Sequence, residues 1–321
     1  MLLSSLSLCL VAQAHLCHGS DTGSPEHAPS TQQSCLRRHA VNALTTVLNR
    51  RYQVTLSGLE EVKSQGTTGV LFLSTHEAFV GPGLLLGALE KDFQPKPMMA
   101  AKFLKGLPGK AIGAVFDPVP LVDISLAPKK SVTSVQESIS SVIAALQAGK
   151  NVVLYPSGRL QRGALEMLPT TGAVDKILRT LPDTRIVLVR ERGLWGSFSS
   201  WGYDGTDPFK NLGKKTLKAI GSLATQSIDG QRRPVSFTFF EPRDFPRPLA
   251  GVKNPAVKGK MNDYMENWFN LVPEYNTRVS HFPGPNSRQV RRVPDPVIPD
   301  KMGDRERMKR AINSDKMAQK D

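Results

Sequence analysis

The chain has 321 residues, 40% of them apolar, and its 42 basic against 28 acidic residues leave a net charge of +14 and a pI near 9.8. That length and apolar content support one large domain with extensions and exclude a chain disordered throughout, while the positive balance favours a phosphate-bearing partner. No zinc-ligand spacing or aromatic ribonucleoprotein box occurs and aromatic residues make up only 7%, so anionic lipid or a phosphorylated co-substrate is expected rather than nucleic acid.

Residues 1–18 form an apolar, signal-like leader in which Ala12-Gln13-Ala14 has the small-x-small form of a signal-peptidase site. No Lys or Arg precedes it, and the run is shorter than the ~20 residues of a membrane-spanning helix. A cleaved signal, a membrane-dipping segment and an over-extended start all stay open. Cys9 and Cys17 precede the expected domain and Cys35 stands at its very start, so its core is read as reduced, cytoplasm-facing and held by neither a disulfide framework nor a structural metal. Residues 19–34, rich in Ser, Thr, Pro and Gly, read as a linker.

The domain is expected over residues 35–283. Between Cys35 and Arg51, Ala40, Val41, Leu44, Val47 and Leu48 fall at helical spacing with arginines at both ends. Such a helix suits either an anionic membrane surface or ordinary packing on the domain. Short apolar runs then predict strands at Thr68–Ser74, Asn151–Tyr155, Arg185–Arg190 and Val235–Phe240. Val132, Val135, Ile139, Val142, Ile143 and Leu146 predict a helix that Gly149 stops. Strands alternating with helices imply an α/β domain with a mostly parallel central sheet flanked by helices. In such sheets ligands gather at strand ends, where His76 and Pro156 emerge.

Three further stretches have two readings each. Lys210, Lys214, Lys215 and Lys218, with Arg232 and Arg233, suit anionic headgroups or coenzyme A phosphates, or a solvated surface. Trp195, Phe198 and Trp201 suit an interfacial anchor or acyl-chain wall, or the core. Residues 284–321 read as a tail, Pro-rich from Val293 to Pro299 and charged from Lys301 to Asp321, solvated as a helix or disordered.

Chemistry is concentrated at two strand-to-loop exits, Thr75-His76-Glu77 and Tyr155-Pro156-Ser157-Gly158-Arg159. Histidine titrates near ~6.5 and can take a proton from a hydroxyl at cellular pH. The order and spacing of the two exits resemble the glycerophosphate and lysophospholipid acyltransferase family, whose first block is N-H-x-x-x-x-D and third is F-P-E-G-T-R. Gly193-Leu194-Trp195-Gly196-Ser197-Phe198-Ser199 and Phe237-Thr238-Phe239-Phe240-Glu241-Pro242 look like stretches that follow in bacterial members, so the resemblance covers roughly residues 40–282.

The resemblance implies a peripheral, cytoplasm-facing membrane enzyme of phospholipid synthesis or remodelling. It would move a fatty acyl group from acyl-CoA or acyl carrier protein, as co-substrate, to a hydroxyl of a lysophospholipid or glycerol phosphate, with no metal or other cofactor. His76 is the implied general base, with the substrate hydroxyl as nucleophile. Ser157 and Gly158 would shape the phosphate or glycerol pocket, and Arg159 would contact the anion.

This sequence departs from the family pattern where the orienting Asp belongs. Position 81 is Gly, Ser157 stands in place of the family's Glu, and the Gly113–Asp123 stretch has no Arg. Glu77 is the nearest carboxylate and would serve only if the chain turned sharply at His76, because neighbours along a strand point to opposite faces; Asp117 and Asp123 are more remote donors. Two outcomes follow, an acyltransferase with a substitute carboxylate or a catalytically impaired lipid-binding relative of the same fold. An Asp restored at position 81 is expected to raise turnover if its loss is the defect.

Overall fold

The computed structural model describes residues 31–100, 113, 118–121, 131–168, 172–208, 232–272, 274–281 and 288–296. In chain order the elements are α1 (Thr31–Asn49), β1 (Tyr52–Ser57), α2 (Leu59–Ser64), β2 (Val70–Ser74), α3 (Gly81–Leu89), β3 (Lys96–Ala100) and β4 (Val119–Leu121). They continue as α4 (Ser131–Gln147), β5 (Val152–Leu154), α5 (Ala173–Thr180), β6 (Arg185–Arg192), β7 (Arg233–Phe240), α6 (Pro255–Asn270), β8 (Thr277–His281) and β9 (Arg288–Arg292). Among the described residues, seven strands form one sheet in the order β1-β7-β6-β2-β5-β3-β4. The five from β6 to β4 run parallel; β7 is antiparallel to β6, and β1 is parallel to β7. This is the mixed α/β architecture, mostly parallel, that the alternation of elements implies.

Helices on both faces explain why β2 reads as an unbroken apolar run. Leu71 and Leu73 pack with Val142 and Leu146 of α4, Ile177 and Leu178 of α5, and Met261, Met265 and Phe269 of α6. Val70 and Phe72 point the other way, into a cluster with Val62 of α2, Leu84, Leu85 and Leu89 of α3, and Phe93. α4 ends where the sequence places its stop. Gly149 takes φ 69°, its N–H donates to Leu146 O (3.0 Å), and Lys150 N–H donates to Ala145 O (2.9 Å).

Of its two readings, α1 takes the packed one, although the helix starts at Thr31, inside the stretch read as linker. Val41 is buried, Leu48 packs on the second cluster, and Arg37, read as a flanking cation, is also buried. Its guanidinium grips Glu90, with Nε to Oε1 at 2.8 Å and a terminal N to Oε2 at 2.8 Å, and also donates to Pro95 O (2.7 Å).

Ordered contacts continue past the expected boundary at residue 283. β9 pairs antiparallel with β8, and Asp295 accepts from the indole N–H of the fully buried Trp195 (2.6 Å), a donor that burial would otherwise leave unsatisfied. Residues 288–296 therefore belong to the folded unit. The leader, most of the linker, the four lysines from Lys210 to Lys218, Asp117, Asp123 and residues 297–321 lie outside the described residues. No helix among the described residues is long and apolar enough to cross a membrane.

Candidate active site

β6, β2 and β5 are adjacent and parallel, so their C-terminal ends open on one side of the sheet. The chain leaves β2 for β3 on one flank and β5 for β6 on the other, and a crevice forms where such connections diverge. His76 leaves β2 and Tyr155 leaves β5. Their rings stack with centroids 4.2 Å apart and planes 26° from parallel. Gln161 N–H donates to His76 O (2.7 Å), so the loop after β5 wraps the histidine. The loop after β6 closes the other flank: Phe79 N–H donates to Ser199 O (2.9 Å), and Ala78 bridges Ser200.

The Pro156–Arg159 segment is a tight turn. Gly158 N–H donates to Tyr155 O (2.9 Å), and Gly158 takes φ 63°, a left-handed conformation that favours glycine. Ser157 is buried and donates its hydroxyl to Arg159 O (2.9 Å); Gly158 is exposed and Arg159 half-buried. The structure thus brings His76 beside the turn that carries Ser157, Gly158 and Arg159.

Glu77 is a different case. The chain does not turn it back onto His76. Oε1 accepts from Arg192 (3.1 Å) and Oε2 from Leu194 N–H (3.0 Å), so this carboxylate ties the β2 exit to the β6 exit. Arg192 also donates to Glu191 O (2.7 Å), Val272 O (3.1 Å) and Phe269 O, and lies 3.6 Å from Glu274. Burial pushes Glu77 up from the usual carboxylate range and Arg192 pulls it back. Burial likewise raises Glu274 to about 9, with Glu77 adding to the rise.

Two further buried carboxylates reach the mouth. Glu166 has Oε2 3.4 Å from His76 N–H. Burial raises it to about 7, while that N–H and the nearby Ser157 hydroxyl favour the charged form. Its main chain is clamped by Asn270, which accepts from Glu166 N–H (2.9 Å) and donates to Glu166 O (3.0 Å). Glu191 is pushed well above the carboxylate range by burial, although the N–H of Glu77 donates to it. Desolvation acts on His76 in the opposite sense and lowers it to about 4, so the imidazole is neutral at physiological pH. Its Nδ1 is buried without a hydrogen-bond partner, as are Glu166 Oε1 and Glu191 Oε1.

Sequence reading missed Glu166, Glu191 and Arg192. For the last two a signal exists, because the period-two alternation of β6 continues beyond its apolar run. Val187, Val189 and Glu191 share one face while Leu188, Arg190 and Arg192 share the other. Glu166 lies in an irregular loop and carries no such signal. Position 81 holds a further surprise. A Cβ built there would lie 2.2 Å from Glu191 Oε1 and 2.6 Å from Oε2, so the space an Asp would need is already filled.

The aromatic loop divides between its two readings. Trp195 is core; Phe198 and Trp201 are half-buried at the mouth, Phe198 edge-on to Phe79 (6.0 Å) and Trp201 under the Arg162 guanidinium (4.8 Å). Arg233 is buried too, donating to Trp195 O (2.7 Å) and Thr277 (2.7 Å), and so braces β8 rather than presenting charge outward.

No protein-family model matches this sequence, and no curated protein matches it. Among solved structures, the chain is similar to the 1-acyl-sn-glycerophosphate (LPA) acyltransferase PlsC of Thermotoga maritima, at 11% sequence identity and a TM-score of 0.48, over 83% of this chain and 87% of that one.

Proposed function

We propose that this protein transfers a fatty acyl group from a thioester donor, acyl-CoA or acyl carrier protein, to a hydroxyl of a lysophospholipid or glycerol phosphate at a membrane surface. The observation that carries the reading is the junction of the two exits. A neutral imidazole at the end of β2 is stacked on the residue that opens the Pro-Ser-Gly-Arg turn after β5. The resemblance of these two blocks to the acyltransferase motifs supplies the chemistry.

In the proposed reaction the imidazole of His76 removes the acceptor hydroxyl proton as the oxygen attacks the thioester carbonyl. The tetrahedral intermediate collapses with cleavage of the C–S bond, and the proton passes from the imidazolium to the departing thiolate. An oxyester and a free thiol result, and no redox partner or metal takes part. Arg159 is assigned the acceptor's phosphate. The Ser157–Gly158 turn shapes that pocket, and half-buried Phe198 and Trp201 line the apolar approach for the acyl chain. The lowered pKa of His76 keeps it in the base form at physiological pH.

The unpaired Nδ1 of His76 and the glycine at position 81 favour a second reading, a lipid-binding relative that has lost turnover. The test is acyl transfer from radiolabelled acyl-CoA and acyl carrier protein to a panel of lysophospholipids, by wild type and His76→Ala. Wild-type turnover that falls to background in His76→Ala supports the enzyme. Equal rates, or none with any donor, together with retained binding to lysophospholipid vesicles, support the relative.

A further inference from the structure

Three buried carboxylates, Glu77, Glu166 and Glu191, lie about the β2 exit, and their partners separate them. Both oxygens of Glu77 are engaged, one by Arg192 and the other by Leu194 N–H. Glu166 addresses the main chain of His76, not its ring, and Asn270 fixes it there. Glu191 remains. Its carboxyl accepts from the N–H of Glu77, the residue after His76, and its Oε1 is buried with no partner. His76 Nδ1 is in the same state. Two complementary polar atoms buried near one peptide and both unsatisfied remain unfavourable until they meet.

Gly81 explains how Glu191 comes to be there. Its φ is not positive, so the backbone does not require glycine. What requires glycine is space: an added Cβ would sit 2.2 Å and 2.6 Å from the two Glu191 oxygens and 2.8 Å from their carbon. The missing side chain at position 81 and the carboxylate from β6 fit one another.

We infer that Glu191 is the carboxylate partner of His76, a positioning residue that holds the proton on Nδ1 and leaves Nε2 free to act as base. The pairing hydrogen bond forms when acceptor enters the mouth, since neither atom has a partner before then. The inference rests on the acyl-transfer reading for its effect on turnover, but the pairing itself is readable without turnover.

Imidazole 15N shifts of His76 report which ring nitrogen carries the proton, in the folded protein with lysophospholipid bound. Wild type is expected to show the Nδ1–H tautomer. Glu191→Gln is expected to move the population toward Nε2–H, and Glu166→Gln to leave it in place. If wild type turns over, Glu191→Gln lowers kcat by about 10²–10⁴-fold with KM nearly unchanged, the order of loss seen when a histidine loses its orienting carboxylate. Gly81→Asp alone collides with Glu191 and lowers the melting temperature instead of raising turnover. Gly81→Asp combined with Glu191→Ala returns the Nδ1–H tautomer and at least tenfold of the turnover lost in Glu191→Ala. A helix cap alone would be served by Gln and would move neither tautomer nor kcat. The inference is overturned if Glu191→Gln leaves the tautomer unchanged, or if Glu166→Gln moves it while Glu191→Gln does not. A wild type without turnover but with a Glu191-dependent tautomer sinks the proposed function and leaves the pairing standing.

Discussion

Two buried polar regions lie on the same sheet and are finished differently. Under α1 the Arg37 guanidinium meets Glu90 at two points and Pro95 O at a third, and neither carboxylate oxygen is left over. At the strand mouths Glu166 and Glu191 are as deeply buried and His76 partly so, yet each retains an atom with no partner. Burial of a polar group costs about the same wherever it occurs unless hydrogen bonds offset it. The Arg37–Glu90 pair is therefore scaffold, whereas the mouth holds donors and acceptors that the resting fold does not use. The mouth draws on the stability that regions such as α1 provide.

The largest effect comes from breaking the complete region. Glu90→Ala leaves the Arg37 charge buried and uncompensated, which typically costs about 3–5 kcal/mol. Urea denaturation is expected to show that loss, with acyl transfer per folded molecule unchanged. The double exchange Arg37→Met with Glu90→Leu recovers most of it, because packed apolar side chains replace a buried pair at little cost. A Glu90→Ala protein as stable as wild type would mean that water already reaches the pair, and the contrast with the mouth would disappear.

The unequal legibility of the two regions in the sequence has the same origin. β2, β5 and β6 are readable because covering both faces of a parallel sheet demands unbroken apolar runs, and α4 because its apolar stripe ends at Gly149. His76 stands out as a titratable residue directly after such a run. β1 carries a weaker signal, the alternation of Tyr52, Val54 and Leu56 with Gln53, Thr55 and Ser57 that an edge strand allows in place of an unbroken apolar run. Arg37 was read as a solvated helix flank, because nothing local announces a partner at position 90. Glu166 and Glu191 were missed for the same reason: a carboxylate's role is set by what folds against it across the chain. Glycine at position 81 looked like a loss, and only the carboxylate arriving from β6 makes it a fit.

Within the mouth, neutralising Glu166 should act in the opposite direction to breaking the Arg37 pair. Its folded pKa is raised to about 7, so the folded state holds this proton more tightly than the unfolded chain. The stability this proton contributes is fully present below about 4.5 and is lost as pH rises through about 7. Gln does not titrate and still accepts from His76 N–H. Glu166→Gln is therefore expected to gain on wild type as pH rises from 5 to 8, by an amount on the order of 3 kcal/mol. His76 has the reverse slope: lowered to about 4, it makes wild-type stability rise with pH between about 4 and 6.5. Thermal melts across this range separate the two, since Glu166→Gln removes its own share of the alkaline loss, to which Glu191 and Glu274 also contribute, and His76→Gln the acid one. A wild-type-like pH profile in Glu166→Gln would show that its carboxyl is ionised and well solvated.

The smallest effect lies where α1 meets α3, beside a hydroxyl, Thr45 Oγ1, that is itself buried without a partner. α1 and α3 approach closely at Gly87, where an added Cβ would lie 2.5 Å from Thr45 Oγ1, while at Gly83 the nearest atom, a methyl of Leu48, is 3.5 Å away. Both glycines are helical, so Ala gains about 0.5–1 kcal/mol from helix propensity at either position. At Gly83 that gain stands. At Gly87 it is opposed by about 1–3 kcal/mol of overpacking, because the Thr45 hydroxyl must shift to admit the methyl group. Gly83→Ala should therefore raise the melting temperature slightly and Gly87→Ala lower it. Thr45→Gly in the Gly87→Ala background should recover part of the loss, because the clash disappears while α1 gives up some helix propensity. If Gly87→Ala were stabilising, α1 would sit on α3 as an adjustable cover, and the Arg37–Glu90 pair alone would fix its position.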